Sequence, residues 1–472
     1  MFSATFRADG SSLFSKGNQW GYFPSAAVAW RISEENFMKG ISSTLDNLKL
    51  RFSFGTAGNN NIPPNQISQI FTSSNSAYIN GVSNFWSASN LMANPDLKWE
   101  TTYTRNLGLD FGLFKSRLSG SIELYINTTK DLLINFPVSG TGYNTQYRNM
   151  GKTENKGLEF SLNAVLIDKE KYGLNIGFNI GFNRNKIISL GTMDDFGWAS
   201  SWASTEIGLD YWLAKGGSVG QMYGYRSDGR YEVSDFSGYN AATDTWILNE
   251  GVADNTGLIG KVRPGNMKLK DLNGDGVVTI ADNTVIGNAN PKHSGGFNID
   301  GRLYDFDLSA VFSWSYGNEI YNANKIEYTT SRFQFTNLID IMADGKRWSN
   351  LDPATGAIVN DPETLAAMNA NTTMWSPYMT RRIMSDWAVE DGSYLRLNTL
   401  SLGYTIPAEI TKKVNIQNLR FYVSASNVFI LTNYSGFDPE VSSRRNTLLT
   451  PGVDYSAYPK SRQLLFGLNL TF

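Results

Sequence analysis

The chain has 472 residues, 41% of them hydrophobic, 18% charged and 13% aromatic, with 44 glycines and a formal net charge of -2; this is the composition of a folded chain, and without basic runs it lacks the electrostatic footprint of a nucleic-acid binder. It has no cysteine and a single histidine, His293, which excludes disulfides, thiol catalysis and zinc sites built from cysteine or several histidines. A Ser-His-Asp triad would need His293, but Asn290-Pro-Lys-His-Ser-Gly-Gly296 holds no nucleophile elbow, so His293 reads as a solvated loop residue.

No stretch approaches the roughly 18 consecutive apolar residues of a spanning helix. Met1-Phe-Ser-Ala-Thr-Phe-Arg7 has no charged region followed by an apolar one, so no signal peptide is expected there. What recurs instead is alternation with period two, the mark of strands with one apolar and one polar face. It runs over residues 2–8, 22–31, 48–56, 99–113, 117–131 and 154–167. It is clean in Leu174-Asn-Ile-Gly-Phe-Asn-Ile-Gly-Phe182, recurs at 294–303, and is clean again in Phe306-Asp-Leu-Ser-Ala-Val-Phe-Ser-Trp-Ser-Tyr316. It returns at 393–406 and 418–430, and in Leu464-Leu-Phe-Gly-Leu-Asn-Leu-Thr-Phe472 every second residue is apolar. The total is about twelve strands, the cleanest at membrane-strand length. The run Ser393–Tyr404 changes phase near Asn398, which predicts a bulge or a strand leaving the bilayer.

The connections carry an independent signal. Gaps near 114–116, 168–171, 304–305 and 407–417 are short, and the gaps alternating with them, near 57–98, 132–153, 187–293, 318–392 and 431–462, are long. The gap at 33–47 is the longest on the short side. In an up-and-down barrel successive connections lie at opposite rims, so the alternation predicts an all-β transmembrane antiparallel β-barrel with tight turns at one rim and long loops at the other. Asp168-Lys-Glu-Lys171 reads as one such turn, and Trp30, Trp99 and Trp314 as candidates for the interfacial aromatic girdles. Asn175, Asn179 and Asn183 are placed to face a hydrated lumen.

Several dispersed blocks then carry a resemblance: Arg7-Ala-Asp-Gly-Ser-Ser12, Trp20-Gly-Tyr-Phe-Pro-Ser25, Ala29-Trp-Arg-Ile-Ser33, Asn94-Pro-Asp-Leu-Lys-Trp-Glu-Thr101 and Asn155-Lys-Gly-Leu-Glu-Phe160. They continue through Asp271-Leu-Asn-Gly-Asp-Gly276, Ile286-Gly-Asn-Ala-Asn-Pro291, Glu390-Asp-Gly-Ser-Tyr-Leu-Arg396, Ser426-Asn-Val-Phe429 and Tyr434-Ser-Gly-Phe-Asp-Pro-Glu440. Together they resemble, in order and over nearly the whole chain, the C-terminal half of the SusC/RagA family of TonB-linked outer-membrane transporters. The resemblance implies residues 1–472 to be the C-terminal part of a barrel of about 22 strands, with its largest extracellular loops near 187–293 and 318–392. No plug domain, signal peptide or TonB-contacting segment is visible, so Met1 is not expected to be the biological start unless another chain supplies the rest. The implied partners are a SusD-like surface lipoprotein, TonB and membrane lipid, and the implied cargo is an oligosaccharide or a peptide.

One motif points to a metal. Asp271, Asn273, Asp275, Gly276, Val277, Thr279 and Asp282 reproduce the ligand spacing of a calcium loop, with hard oxygen donors at alternate positions and a glycine at the sharp turn. Position twelve is the shorter aspartate and no helix pattern follows, so a helix-flanked EF-hand is not expected; the same residues also read as a metal-free Asx- and Gly-rich turn. No cofactor is otherwise required. Asp9-Gly10 and Asp391-Gly392 read as turns at strand ends, not as catalytic acids. The aromatic segment at 191–225, with Trp198, Trp202, Tyr211, Trp212, Tyr223 and Tyr225, suits packing inside a large loop, and stacking on sugars or a partner is the alternative. The expected function is nutrient import across a bacterial outer membrane, not catalysis. A soluble or surface-attached all-β glycan-binding module is the reading that competes with it.

Overall fold

The computed structural model describes all residues except 75–84, 139, 204–205, 332–334, 336, 380 and 444–447. One twelve-stranded antiparallel sheet runs through the molecule in strict chain order. Its strands are β1 (Phe2–Gly10), β2 (Trp20–Arg31), β3 (Leu45–Asn59), β4 (Glu100–Leu113), β5 (Leu118–Lys130) and β6 (Lys152–Asp168). They continue as β7 (Tyr172–Ser189), β8 (His293–Leu303), β9 (Phe306–Tyr316), β10 (Tyr394–Thr405), β11 (Asn418–Thr432) and β12 (Gln463–Thr471). All twelve coincide with the alternating stretches of the sequence. No helix among the described residues is long and apolar enough to cross a membrane.

The register converts each strand's alternation into two continuous surfaces. Leu50, Leu109, Ile122, Phe160 and Ile180 are opposed in turn from β3 to β7, and Phe178, Phe297 and Phe312 continue from β7 to β9. Phe297 and Phe312 stack with ring centroids 4.3 Å apart. Many residues of this face are exposed, including Phe52, Leu107, Ile122, Leu124 and Leu308. An apolar sheet face left open suits hydrocarbon, not water. The opposite face carries Asp110, Ser121, Ser161, Asn179, Asn298 and Ser313, so the sheet has no dry interior there.

Tight connections join β4 to β5, β6 to β7 and β8 to β9, through residues 114–117, 169–171 and 304–305. At the same rim residues 32–44 hold two 3-10 turns, Ile32–Glu34 and Asn36–Ile41, and 406–417 complete the set. The other rim carries 11–19, 60–99, 131–151, 190–292, 317–393 and 433–462. The sorting by rim holds throughout, although 11–19 is itself compact. The phase change near Asn398 is a bulge: the register slips there against both β9 and β11, and Asn398 Nδ2 donates to Ser313 Oγ at 2.8 Å.

Two expectations need correction. Trp99 does not join a lipid-facing girdle, because its ring lies 5.6 Å from both Phe14 and Phe23 in a small cluster with Ile62 and Leu97, under the outer loops. His293 is no loop residue: it opens β8, stacks on Tyr316 at 5.0 Å and accepts the indole N–H of Trp314 at 3.1 Å. Trp30 and Trp314 do sit near strand ends, where Trp30 donates to Glu35 at 2.9 Å. At the tight rim the hydroxyls of Tyr172 and Tyr304 meet at 2.7 Å.

The two largest connections pack on each other. Tyr231, Trp246, Met267 and Leu269 from 190–292 share a core with Met342, Trp348, Leu365 and Trp375 from 317–393. A second cluster joins Trp202, Tyr211 and Met222 to Tyr321, Ile326 and Val453.

If the apolar face meets hydrocarbon, Ile122→Arg at mid-band costs about 2–4 kcal/mol. Asn175→Arg on the polar face costs well under that. Urea-dependent folding of the complete protein into lipid vesicles measures both.

Candidate functional site

Two regions could serve function: the polar wall of the sheet and the folded layer of long loops above it. On the wall, the polar residues that alternate with the apolar ones cross-link neighbouring strands. Arg51 donates to Asp110 at 2.9 and 2.7 Å and to Glu123 at 2.7 Å, and Asn106 donates to Glu123 at 3.0 Å. Farther along, Arg420 forks onto Asp307 at 2.9 and 2.5 Å. These charges stay half-hydrated on the wall and are saturated by bidentate geometry, so they stiffen the wall more than they attract a ligand.

Nearer the outer rim the wall becomes amide-rich. Tyr125 donates to Asn183 at 3.1 Å, and Asn183 and Asn185 both donate to Asn155. Asn179 accepts the N–H of Gly296 at 3.1 Å. Asn175, Asn179 and Asn183 are all exposed on this face, as the alternation of β7 predicts. A cleft of about 580 Å³ at the outer ends of β7 to β9 is lined by the amides of Asn183, Asn185, Asn288 and Asn290 together with the charged Arg184, Lys292, Glu319 and Asp391, among others. Amides present donors and acceptors together, the complement of hydroxyl-rich or peptide groups.

In the loop layer the aromatic segment is mostly structural. Tyr211 is fully buried and donates to the carbonyl of Pro451, while Trp202 donates its indole N–H to the Tyr321 hydroxyl at 2.5 Å. Trp212 and Tyr223 stack on each other at 4.6 Å. Next to Tyr211, Asp210 is buried and accepts both the N–H and the hydroxyl of Ser200. Burial pushes its carboxyl up to about 6 despite those hydrogen bonds.

Three blocks from either side of the β10–β11 hairpin converge at the outer ends of β10 and β11. Arg396, nearly buried, bonds Asp438 at 2.5 Å and Asn427 at 3.5 Å. Glu390 accepts the N–H and hydroxyl of Ser435 and the amide of Asn322, and pairs with Lys325 at 3.3 Å. Burial lowers the Lys325 ammonium, with Glu390 opposing, and its head lies 4.1 Å from the Trp387 ring. Thus Glu390–Arg396, Ser426–Phe429 and Tyr434–Glu440 act as one clamp. Sequence spacing alone does not show it.

The calcium-like loop closes on itself. Asp271 accepts the N–H groups of Gly274 and Gly276, Asn273 accepts that of Asp275, and Asp275 accepts that of Val277. Gly274 and Gly276 adopt φ of 78° and 86°, which a side chain would strain. Asp282, fully buried, receives the N–H groups of Leu272, Asn273 and Thr279. Burial raises its carboxyl, but those backbone bonds and contact with the Asp271 carboxyl outweigh it and hold the group below its ordinary range. Thr279 Oγ1 caps the 3-10 turn Ile280–Asp282 by accepting from Ala281. Two carboxylates therefore meet, Asp271 and Asp282, with carboxamide and carbonyl oxygens on the same loop. Among the described residues no group of three or more acidic, His or Cys side chains gathers to hold a metal. Carboxylate oxygens that accept an N–H keep a second lone pair, so the donor chemistry fits a hard cation, with Asp271 and Asp282 already together and Asp275 the third acidic donor of the loop.

Comparison with known proteins decides the family. Residues 1–255 match the family described as TonB dependent receptor-like, beta-barrel. The chain belongs to this family. Over its full length it is 34% identical to a TonB-dependent receptor of Formosa agariphila, covering 44% of that protein. It is 31% identical over 483 aligned residues to the TonB-dependent receptor SusC of Bacteroides thetaiotaomicron, covering 42% of it. A solved structure of the RagAB peptide transporter superposes on 100% of this chain and 46% of its own, with a TM-score of 0.76 at 23% identity, a likeness of fold. This receptor chain thus spans somewhat less than half the length of the curated relatives it matches. The family places it in the outer membrane, and its relatives are receptors, not enzymes.

The titration of Asp210 gives a prediction with a definite sign. Its folded carboxyl binds a proton more tightly than the unfolded one at 3.8, so its contribution is complete below that pH and is lost as pH rises through about 6. Asp210→Asn should leave the loop layer's melting unchanged below pH 4 and raise it near pH 7.5, by roughly 2–3 kcal/mol. Intrinsic tryptophan fluorescence across a pH series reads the difference.

Proposed function

We propose that this chain forms part of the wall and most of the outer mouth of a TonB-dependent importer that carries an oligosaccharide or a peptide across the outer membrane. The observation that carries the proposal is the division of the twelve-stranded sheet into an open apolar face and a hydrated, hydrogen-bonded polar face, with every large connection at one rim. Both edge strands are paired on one side only, and an unpaired edge is not tolerated in hydrocarbon. Further strands, on the scale of the relatives' extra length, would close the barrel, and TonB would supply the energy. In these terms the amide-rich cleft beside Asn183 and Asn290 lies on the cargo's path.

A SusD-like surface lipoprotein is the proposed partner. Its seat would be the loop layer, where Ile280, Ile358, Tyr378 and Phe437 stand 61–77% exposed, an apolar display unusual for a surface facing only water. The complete receptor, purified from its own outer membrane, should require detergent and bring down a SusD-like lipoprotein with bound glycan or peptide identifiable by mass spectrometry. A receptor that stays monodisperse in plain buffer would support the glycan-binding module instead.

Calcium at the 271–282 loop is proposed as a structural ion, held by Asp271, Asn273, Asp275, Asp282, the Val277 carbonyl and the Thr279 side. What supports it is the spacing and the meeting of Asp271 with Asp282. Adding Ca²⁺ should raise the melting temperature of the loop layer by a few degrees, roughly in line with 1–2 kcal/mol. The gain should vanish with EGTA and in Asp271→Asn; equal melting in both conditions would leave a metal-free turn.

A further inference from the structure

The outward face of β4 to β7 changes character toward the long-loop rim, and the register fixes where. Leu107, Leu124, Leu158 and Phe182 form the last apolar row across the four strands. Two residues farther along each strand, on the same face, the row reads Arg105, Ile126, Lys156 and Arg184. Above it come Tyr103, Thr128, Glu154 and Lys186, and then Lys130 opposite Lys152.

Arg105, Lys130, Lys156, Arg184 and Lys186 are all exposed. Glu154 is the sole carboxylate in these rows, and it is taken by Lys156 at 3.0 Å. Among the described residues no carboxylate lies within ion-pair distance of Arg105, Lys130, Lys152, Arg184 or Lys186. Lys130 instead rests 4.9 Å from the ring of Tyr103. Of these six cations on four adjacent strands only Lys156 has a carboxylate partner, and Arg184 rests on the backbone carbonyls of Asn183 and Lys292 at 3.4 Å, so the group keeps an excess of positive charge. Parity places them on the lipid-facing side, with the leucines below and not with Asn155, Asn183 or Tyr125 on the polar wall, although Arg184 also borders the cleft beside Asn183. A ligand touching Arg105 therefore also touches Leu107, which calls for an anion joined to hydrocarbon.

On the outer-membrane placement given above, we propose that this face binds a phosphorylated glycolipid of the outer leaflet. Its phosphates would sit on Arg105, Lys156 and Arg184, and its acyl chains on Leu107, Leu124, Leu158 and Phe182. Guanidinium forks suit phosphate oxygens, and cations at headgroup level are attracted to an anionic surface. The cluster lies at the end of the apolar band, where headgroups begin.

The test uses the complete receptor in detergent, with bisphosphorylated lipid A, its dephosphorylated counterpart and inorganic phosphate as probes, and binding read by native mass spectrometry. The parent should prefer the bisphosphorylated lipid, and millimolar inorganic phosphate should not displace it. The triple variant Arg105→Gln, Lys156→Gln, Arg184→Gln should bind it about two orders of magnitude more weakly, with binding of the dephosphorylated lipid unchanged. Retention within about threefold of the parent, equal binding of both lipids, displacement by free phosphate, or capture of a protein on this face in place of lipid overturns the proposal. Heat-modifiable gel migration reports the folded barrel in every sample. Should the triple variant fail to fold, Lys130→Gln with Lys186→Gln, higher on the rim, must still weaken binding about tenfold. A parent that needs no detergent would overturn the membrane placement itself, an outcome distinct from a folded barrel that ignores the phosphate.

Discussion

The backbone hydrogen-bond ladder is the constraint on which the rest of this molecule depends. In hydrocarbon an unpaired N–H or C=O costs several kcal/mol, so each strand must lie between two others, and twelve strands in chain order satisfy this everywhere but at β1 and β12. Side-chain direction then follows from the pleat: once Leu109 opposes Ile122, Asp110 must oppose Ser121 on the other surface. Even the irregularities obey the ladder. At Asn398 the register slips against both neighbours, so Leu395 and Leu400 share a face despite their odd and even positions. Without the bulge one end of β10 would point its leucines into the lumen.

The polar surface created in this way cannot be left unsatisfied. Small residues dominate it because opposed pairs such as Ser121 and Ser161, whose hydroxyls are 2.8 Å apart, bond across strands while leaving the lumen open. Longer charged side chains appear where they can reach a neighbour, as Arg51 reaches both Asp110 and Glu123. The wall is thereby stiffened by the same groups that keep it wet.

The strands were legible because a single local rule, period-two alternation, governs both burial and exposure in a membrane sheet, and because turn length sorts by rim. Asn175, Asn179 and Asn183 needed nothing more than parity to be placed. The loop layer obeys no such rule. Tyr231 and Trp348 are buried together although more than a hundred residues separate them, and Trp99 reads as a girdle residue until Phe14 and Phe23 are seen beside it. The clamp of Arg396 on Asp438 was equally hidden, since a charged residue in a strand gives no hint of its partner in a distant loop. The outward cations of β4 to β7 could have been found from parity alone, because Arg105, Lys156 and Arg184 interrupt faces that are otherwise apolar.

A barrel rim offers little apolar surface on which loops could dock, so loops of this size must supply their own core. They do so around Trp246, Met267, Trp348 and Leu365, and buried polar groups fix how that core meets the sheet. Lys325 and Glu390 are ordered by Ser435, Asn322 and Trp387, while Arg396 holds Asp438 at the head of β10. Breaking one partner of such a pair strands a buried charge, at a cost of several kcal/mol. Hydrophobic packing alone would let the loop layer slide over the mouth; directional charge-assisted bonds give it one seat. A loop layer held in one register against a rigid wall can present a fixed surface to a partner, while the open wall below it keeps a wet path, and this division of labour follows from where the chain can and cannot bury apolar surface.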